Sequence, residues 1–463
     1  MNFKTLLKIS VLVLVIWGCK DKTVDPATDA ETNQWIYSQM KYWYYWNDKI
    51  TATPDLTKAP ADLFNSLLYK YDANLRPDGD RFSWIQKSAD ELQASLSGSG
   101  KTPGMEYKLL YYPSGTSNVI AVVTYTLPGS PAEKAGFKRG DIFTSVNNQQ
   151  LTGANYSQLL NAEGTKTYTL AKVDSGGKVT EGTVKREVVP VVLQENPVYF
   201  DTLFQFNGTQ IGYIVYHQFI PEPYQSKTLQ YDKELDQIVG SFKEKNVSSI
   251  ILDLRYNPGG YVSSATSLAS LLVKATTNDI FFYKEYNPTA TTALKKQYGE
   301  GYFYDKFTAK TQNIGSTLNN LVILTSSRTA SASELLINGL KPFMNVILVG
   351  DNTVGKNVGS ITLSNKKDGI TWGLQPIVSK SFNGLHKSDY SVGFTPDVRA
   401  TEGILLYPYG DLRDPLLSEA LFKILGSRVV RRIPLAETKL FSGVEIMSSV
   451  SRKAGGSNMF FSH

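Results

Sequence analysis

Short apolar, β-branched runs alternate with helical patterns in the second half of the chain. Ser248–Leu254, Asn320–Thr325 and Asn345–Val349 are rich in Val, Ile and Leu, as expected of strands buried on both faces. Val262–Leu272 and Ala332–Leu340 repeat apolar residues at helical spacing. A strand, helix and strand of this length form a right-handed parallel crossover. The pattern therefore predicts an α/β fold with parallel strands and crossover helices.

The first part of the chain has a different pattern. Residues 20–30 are polar and resemble a flexible tether, whereas the next segment is too aromatic for a linker. Trp35, Met40, Trp43 and Tyr44 lie at helical spacing and predict a small helical subdomain over residues 31–98. With 463 residues, the chain is long enough for about three domains.

The amino terminus has the features of an export signal. Lys4 and Lys8 precede an apolar run, Ile9–Trp17, that is too short to span a bilayer, so residues 1–18 predict a signal peptide. Cys19, the only cysteine, follows in a context similar to a bacterial lipobox, although a chance cysteine is the alternative. A lipidated Cys19, with residues 19–30 as anchor and tether, would hold an extracytoplasmic protein on a bacterial membrane, at the periplasmic or surface side of the outer membrane.

Two polar side chains follow predicted strand ends, where the crevice of an open parallel sheet lies. Ser331 comes after the second strand and Lys356 after the third. A serine hydroxyl needs a neighbouring base to act as a nucleophile, and the three histidines (His217, His386 and His463) have no context that resembles a triad. A lysine can replace histidine if burial lowers its pKa. The alternative is that Ser331 caps a helix and Lys356 is a solvated loop lysine.

Other chemistries find little support. Gly350–Lys356 matches a phosphate-binding loop, but Asn357 stands where a Ser or Thr is needed, and the next residues alternate like a strand rather than a helix. A net charge of +6 without a dense basic run gives no indication of nucleic-acid binding. Without cysteine pairs or histidine clusters, we expect neither a metal site nor a cofactor.

The loop after the first predicted strand can serve as an anion cradle. Arg255–Gly260 ends in two glycines at the start of a predicted helix. Backbone amides at such a place suit a developing oxyanion. Taken alone, Asn-Pro-Gly-Gly indicates only a tight turn.

Together these motifs resemble the carboxyl-terminal processing, or tail-specific, serine peptidases. The resemblance rests on ASASE around Ser331, on Thr-x-Gly-Lys ending at Lys356, and on LDLRxNPGG from Leu252 to Gly260. It implies a crotonase/ClpP-like catalytic domain over residues 189–427. It also implies a Ser-Lys dyad with an acyl-enzyme intermediate.

The same resemblance assigns further roles around the dyad. Ser331 is the implied nucleophile and Lys356 the general base. The amide of Ala332, with one from Gly259 or Gly260, would form the oxyanion hole. Thr353 matches a position that supports the lysine. Ser360 stands where the family often has Gln, so a hydroxyl would have to hold the amine there.

A PDZ domain is predicted within residues 99–188. Leu127–Leu151 resembles a PDZ helix and strand, and Asp80–Ile85 resembles the element that precedes this domain in the family. PDZ domains bind peptides at a sheet edge and capture a terminal carboxylate, here near Pro103, Gly104 and Met105. The implied partners are proteins or peptides with exposed carboxyl termini. A PDZ domain that only braces the catalytic domain is the alternative.

Two segments and one functional alternative stay open. Residues 276–319 are rich in aromatics that fit either a lid or a small satellite core, and residues 428–463 look like a partly disordered tail. The sequence favours a membrane-tethered serine endopeptidase. The alternative is a catalytically silent scaffold that binds peptides through its PDZ domain.

Overall fold

The computed structural model of the chain describes residues 25–174, 176–429, 443–450 and 459–461. The predicted signal peptide, residues 1–18, and the predicted lipidation site, Cys19, lie outside these residues. Within the described ranges, no helix combines the length and apolarity needed to cross a membrane.

A helical unit opens the described chain, as the aromatic spacing predicts. Thr28 caps its first helix through a hydrogen bond to the Glu31 amide, and Ile36, Met40 and Tyr44 pack fully buried in its core. Its elements are α1 (Asp29–Trp43), a 3₁₀ turn (Asn47–Lys49), α2 (Pro60–Leu67), β1 (Trp84–Gln86) and α3 (Ala89–Leu96).

The next unit is β-rich and coincides with the predicted PDZ domain. Its main sheet has the order β23-β3-β4-β5-β7-β8, with β6 paired to β5, and its core includes Leu109, Val123 and Phe143. The elements are β2 (Ser99–Thr102), β3 (Met105–Tyr111), β4 (Val119–Thr126), α4 (Pro131–Lys134), β5 (Ile142–Val146), β6 (Gln149–Gln150), α5 (Tyr156–Asn161), β7 (Lys166–Val173), β8 (Val179–Val188), β9 (Val191–Gln194) and, from far along the chain, β23 (Val444–Ser448).

A six-stranded sheet forms the centre of the predicted catalytic domain, in the order β10-β11-β12-β16-β17-β22, where β22 is Val398–Arg399. The strands from β11 onward are parallel, whereas β10 is antiparallel to β11, and α6, α7 and α9 lie in the connections. The elements of this region up to the third predicted strand are β10 (Val198–Phe206), β11 (Thr209–Tyr216), α6 (Gln230–Glu244), β12 (Ser249–Asp253), β13 (Gly260–Tyr261), α7 (Val262–Leu272), β14 (Ile280–Tyr286), α8 (Pro288–Tyr298), a 3₁₀ turn (Glu300–Phe303), β15 (Tyr304–Lys306), β16 (Asn320–Thr325), α9 (Ala332–Leu340) and β17 (Val346–Gly350).

A second six-stranded sheet, in the order β13-β24-β18-β21-β14-β15, lies beside the ends of the central strands. β19 and β20 form a small separate sheet with β1. The remaining elements are β18 (Val358–Ser360), β19 (Leu363–Asn365), a 3₁₀ turn (Lys366–Asp368), β20 (Ile370–Gln375), β21 (Ile377–Asn383), β22 (Val398–Arg399), α10 (Pro415–Leu425) and β24 (Met459–Phe460).

Both faces of the central sheet are buried, which explains its continuous apolar strands. Ile250 and Leu252 pack toward α6, α7 and α9, whereas Ile251 between them packs toward α10. The predicted α/β architecture, with a β-rich second unit and a helical amino-terminal subdomain, is confirmed. Of the predicted tail, residues 443–450 and 459–461 include two short strands, and residues 430–442, 451–458 and 462–463 lie outside the described ranges.

Candidate active site

Ser331 lies at the turn from β16 into α9. Its backbone has φ 64° and ψ −114°, a conformation that costs energy for a residue with a Cβ and is concentrated at functional sites. Ser331 is the N-cap residue of α9, and its amide donates to the Glu334 carboxylate as in a capping box. Its side chain is fully buried, and its Oγ has no hydrogen-bond partner among the described residues. Ser331 therefore begins the helix and also presents a buried hydroxyl in a strained backbone conformation, as a nucleophile would.

Lys356 lies in the loop that follows β17, and its side chain is fully buried. The alternative of a solvated loop lysine is therefore wrong. Its Nζ lies 4.9 Å from the centre of the Phe82 ring. Burial lowers the pKa of Lys356 well below its ordinary value, although the charges of Asp80 and Glu334 oppose this shift. The structure thus provides the physical condition that a neutral lysine base requires.

The element Asp80–Ile85 packs against the lysine loop, which explains why this amino-terminal motif accompanies the site. Arg81 Nη2 donates to the carbonyl oxygens of Gly355 and Ser391, each at 2.8 Å. The Oγ of Ser83 accepts a hydrogen bond from the amide of Ile377 at 2.9 Å. The amino-terminal unit therefore holds the lysine loop at Gly355 and also holds the strand that pairs with Ser360.

Glu334, to which the sequence assigned no role, connects the two loops. Its Oε2 accepts the amides of Ser331 and Lys356, both at 2.8 Å. Its Oε1 accepts the Thr353 hydroxyl at 2.5 Å and the Gly355 amide at 2.7 Å. Burial raises the pKa of Glu334 above its ordinary value, and these four donated bonds oppose the rise. The only sequence signal for this role of Glu334 is the spacing Ser-x-x-Glu, which by itself indicates a helix capping box.

Thr353 and Ser360, both expected to support the lysine, occupy different positions around it. The Thr353 hydroxyl donates to Glu334 and accepts the Phe394 amide at 2.7 Å, so it acts on the loop through the carboxylate. Ser360 is fully buried, and its Oγ accepts a hydrogen bond from Gln375 Nε2 at 3.1 Å. An amide side chain thus stands beside Ser360, but it comes from β20 rather than from the lysine loop.

The predicted oxyanion loop lies directly against Ser331. A Cβ on Gly259, whose φ is 104°, would come within 2.6 Å of the Ser331 Cβ and 2.8 Å of the Ala332 nitrogen. The Gly259 amide donates to Asn257 Oδ1 at 2.9 Å, whereas Gly260 begins β13. The structure therefore brings together Ser331, Ala332, Gly259 and Gly260, and it engages one of the two candidate amides internally.

The predicted carboxylate loop of the PDZ domain is largely used for its own folding. The Gly104 amide donates to Thr102 Oγ1 at 3.1 Å, and its carbonyl accepts the Leu127 amide at 2.8 Å. Met105 is buried in the PDZ core. Capture of a terminal carboxylate by Gly104 and Met105 stays a prediction.

A buried ionic cluster joins the PDZ domain to the catalytic region. Arg139 of the PDZ domain and Arg255, which follows β12, both bond to Glu402, and Arg255 also bonds to Asp253 and Asp414. Burial acts to raise the pKa of Glu402, but the two guanidinium groups hold it well below its usual range. Because removing one partner would leave an uncompensated buried charge, this cluster fixes the two domains together.

The histidines and the aromatic segment 276–319 have structural contacts of their own. His217 stacks on Tyr125 at 3.8 Å, and His386 stacks on Tyr283 at 4.1 Å, while His463 lies outside the described residues. In the segment 276–319, Phe281, Phe282 and Phe307 are buried in the main core, as a core role requires. Among the residues that the structure describes, no group of three or more His, Cys, Asp or Glu side chains is placed to hold a metal ion.

Comparison with known families agrees with this organisation. Residues 210–400 match the model of peptidase family S41, residues 31–84 match the peptidase S41 N-terminal domain, and residues 122–171 match a PDZ domain. The PDZ match lies inside the predicted range, and the S41 match spans both the Ser331 and the Lys356 loops.

Individual relatives carry the same description. The chain is 26% identical over 390 residues to a carboxyl-terminal-processing protease of Picosynechococcus, covering 83% of this chain and 82% of that protein. It is 27% identical to a carboxy-terminal processing protease of Bacillus subtilis, covering 60% of this chain but 53% of that protein.

A solved structure extends the likeness to the fold. The crystal structure of an S41-type protease from Bacteroides fragilis superimposes with a TM-score of 0.67 at 26% identity, covering 85% of this chain and 97% of that one. The resemblance drawn from the sequence motifs is therefore confirmed: the chain is a serine peptidase of family S41 that carries the family's amino-terminal domain and a PDZ domain.

Proposed function

We propose that the chain is a membrane-tethered endopeptidase that cleaves exported proteins near exposed carboxyl-terminal segments through a Ser331–Lys356 dyad. One observation carries the proposal. Ser331 and Lys356 are both fully buried, and their amides share one carboxylate oxygen of Glu334. Two donors at 2.8 Å from one acceptor are within about 6 Å of each other, so the two loops meet at the strand ends.

In the proposed reaction, Ser331 Oγ attacks the carbonyl carbon of the scissile peptide while its proton passes to neutral Lys356 Nζ. The carbon–nitrogen bond then breaks, and the protonated lysine returns the proton to the leaving amine. A water molecule next attacks the acyl-enzyme, again losing its proton to the lysine. Release of the new carboxyl product regenerates the Ser331 hydroxyl.

Backbone amides would stabilise the oxyanion formed in each attack. The Ala332 amide lies at the first turn of α9, where the helix dipole favours negative charge. The second donor would be the amide of Gly259, which is bonded to Asn257 Oδ1, or that of Gly260, which lies in the strand paired with β24. The absence of a side chain at Gly259 lets the loop approach Ser331 closely.

Substrate class and location complete the proposal. The PDZ domain is supported as a peptide-binding element by its match to the PDZ family, and its loop at Gly104 and Met105 is the candidate carboxylate site. Tethering is supported by the apolar run before Cys19 and by the polar residues after it. In a bacterial host, Cys19→Ala should move the protein from the membrane fraction to the soluble fraction and remove lipid mass from its amino-terminal peptide.

The proposal is tested by incubating denatured casein with the wild-type chain and with Ser331→Ala, Lys356→Ala and Lys366→Ala, followed by mass analysis of the products. Lys366 is an exposed lysine and serves as the matched control. Cleavage should persist in the wild-type and Lys366→Ala proteins and be lost in the other two. Undiminished turnover by Ser331→Ala would refute the dyad. Binding without cleavage by the wild-type chain would favour the peptide-binding scaffold.

A further inference from the structure

Residues 443–450 and 459–461, which we call the distal segment, lie along the path from the PDZ domain to the candidate active site. They follow the last helix, α10, and contact three separate parts of the peptidase. These are the edge of the PDZ sheet, the loop before Ser331, and the two strands that flank the catalytic loops.

The first contact extends the PDZ sheet. β23 pairs antiparallel with β3, with Val444 opposite Tyr111 and Ser448 opposite Lys108. Ser449 continues the pairing, because its amide donates to the Tyr107 carbonyl at 2.9 Å and its Oγ accepts the Tyr107 amide at 2.8 Å. The segment therefore runs toward the end of β3 that carries Gly104 and Met105. Adding a strand to a sheet edge is the way in which PDZ domains hold peptides.

The second contact is an ion pair with the nucleophile loop. Arg328, three residues before Ser331, donates to Glu445 of β23. The Arg328 side chain is largely buried, whereas Glu445 is about one-third exposed. The same strand that occupies the PDZ edge is thus tied to the loop that positions Ser331.

The third contact places β24 between the strands that leave the two catalytic loops. β24 is parallel to β13, with Gly260 opposite Met459, and parallel to β18, with Ser360 opposite Phe460. The Phe461 amide donates to the Ser360 carbonyl at 3.2 Å. β13 follows the oxyanion loop and β18 follows Lys356, so an extended chain between them lies beside both parts of the proposed catalytic centre.

Two aromatic side chains fix β24 in this position. Phe460 is buried, and its ring packs edge-on against Tyr261 with centroids 4.3 Å apart. Phe461 lies against Gly359 of β18, where a Cβ would come within 2.5 Å of its ring. The absence of a side chain at Gly359 is what allows the Phe461 ring to lie on this strand.

We infer that the distal segment is an intramolecular ligand of the substrate path, which competes with external polypeptides for the PDZ edge and for the gap between β13 and β18. The inference rests on the proposed peptidase function. Without the segment, β3, β13 and β18 would present unpaired backbone groups, and extended peptides readily pair with such edges. A segment attached to the same chain has an effective concentration in the millimolar range for short tethers, so weak pairing is sufficient for inhibition.

The test compares dye-labelled, unfolded casein as substrate for the full-length wild-type chain and for the triple variant Glu445→Lys, Phe460→Asp, Phe461→Asp. Glu445→Lys places a second positive charge beside Arg328. Phe460→Asp and Phe461→Asp place negative charges in the apolar site that holds β24. We expect kcat/KM to rise about fivefold or more, mainly through KM. Phe422→Ala is the matched control, since Phe422 is a partly exposed phenylalanine of α10, and its kcat/KM should equal that of the wild-type chain. Unchanged or lower kcat/KM in a folded triple variant would overturn the inference.

Two further measurements keep the result decisive. If the triple variant does not fold, the single change Glu445→Gln replaces it, and a rise in kcat/KM supports the inference while no rise overturns it. If neither the wild-type chain nor the triple variant cleaves casein, a peptide-binding measurement tests the inference instead, because binding does not depend on catalysis. A fluorescein-labelled peptide with the sequence of residues 443–463 should bind Ser331→Ala at least about tenfold more tightly when the triple substitution is added. Equal binding would overturn the inference even if the peptidase proposal holds.

Discussion

The amides of Ser331 and Lys356 donate hydrogen bonds to the same oxygen, Glu334 Oε2, each at 2.8 Å. One carboxylate therefore sets the separation of the loops that carry the proposed nucleophile and base. Its other oxygen holds Thr353 and Gly355, so three positions of the lysine loop depend on it. Glu334 acts as a positioning residue, since its contacts are to the backbone and to Thr353 rather than to reacting atoms.

Glu334→Gln should lower kcat by about 100-fold and destabilise the fold by about 3 kcal/mol. A glutamine offers one acceptor oxygen, so its NH₂ group would face two donors that the carboxylate now satisfies. The loss of negative charge should also lower the pKa of Lys356, because Glu334 raises it in the native protein. If kcat/KM of Glu334→Gln rises with pH at lower pH values than kcat/KM of the wild-type chain, Glu334 acts on Lys356 and does not merely stabilise the fold.

Activity should rise with pH through the depressed pKa of Lys356, because the neutral amine is the active form. Burial lowers this pKa from 10.5, and the charge of Asp80 partly opposes the shift. Asp80→Asn removes that charge but keeps Oδ1, which accepts the amides of Phe82 and Ser83. The acid limb of the kcat/KM profile should therefore move to lower pH. A profile that is flat with pH, or that moves upward in Asp80→Asn, would contradict a lysine base.

Lys356→Met should abolish cleavage while raising the melting temperature at neutral pH. The unfolded lysine is protonated below about 10.4, whereas burial lowers the pKa of the folded one, so unfolding takes up a proton at pH values between the two pKa values. For this group, the free energy of unfolding increases with pH between the depressed pKa of the folded lysine and the higher pKa of the unfolded one. Below that range, burial of the charged lysine lowers the stability of the fold by its full amount. Methionine has a similar length without the cost. Calorimetry across pH should show a smaller pH dependence in the variant, and an equal or lower melting temperature would contradict it.

Gly259→Ala should reduce kcat/KM by about 100-fold or more, because its methyl group would displace Ser331 and the Ala332 amide by part of an ångström. The positive φ of Gly259 adds strain to that clash. Gly100→Ala is the control, since Gly100 has open space around its Cβ position and no positive φ. Equal activity of the two variants on denatured casein would show that the close approach of the loop to Ser331 is unimportant.

The sequence predicted most of the central sheet because its strands are buried on both faces. Asn320–Thr325 and Ala332–Leu340 are observed with the predicted limits, and the third strand is Val346–Gly350, shifted by one residue. A continuous apolar run requires burial on two sides, and only a covered sheet provides this. The same logic located Ser331 and Lys356, since each follows the end of such a run.

The contacts that assemble the site could not be derived from local pattern. Glu334 follows Ser331 at capping-box spacing and accepts its amide as such a box requires, but the carboxylate also holds a loop about twenty residues away, which only the fold reveals. β24 has two residues in an apolar run of only three, Met459–Phe461, so no periodicity predicts it. Gln375 meets Ser360 because β20 and β18 converge in space, although neither sequence neighbourhood signals a pair.

Ser360 and Gln375 provide the last prediction. Because Gln375 Nε2 donates to Ser360 Oγ, Ser360→Ala leaves a buried amide donor without that acceptor, at a cost of about 1–3 kcal/mol. If this pair supports Lys356, Ser360→Ala should also lower kcat about tenfold and shift the acid limb of the kcat/KM profile. Ser364→Ala, at an exposed position of β19, is the matched control. A loss of melting temperature in Ser360→Ala without any change in kcat or in the pH profile would restrict the pair to a structural role.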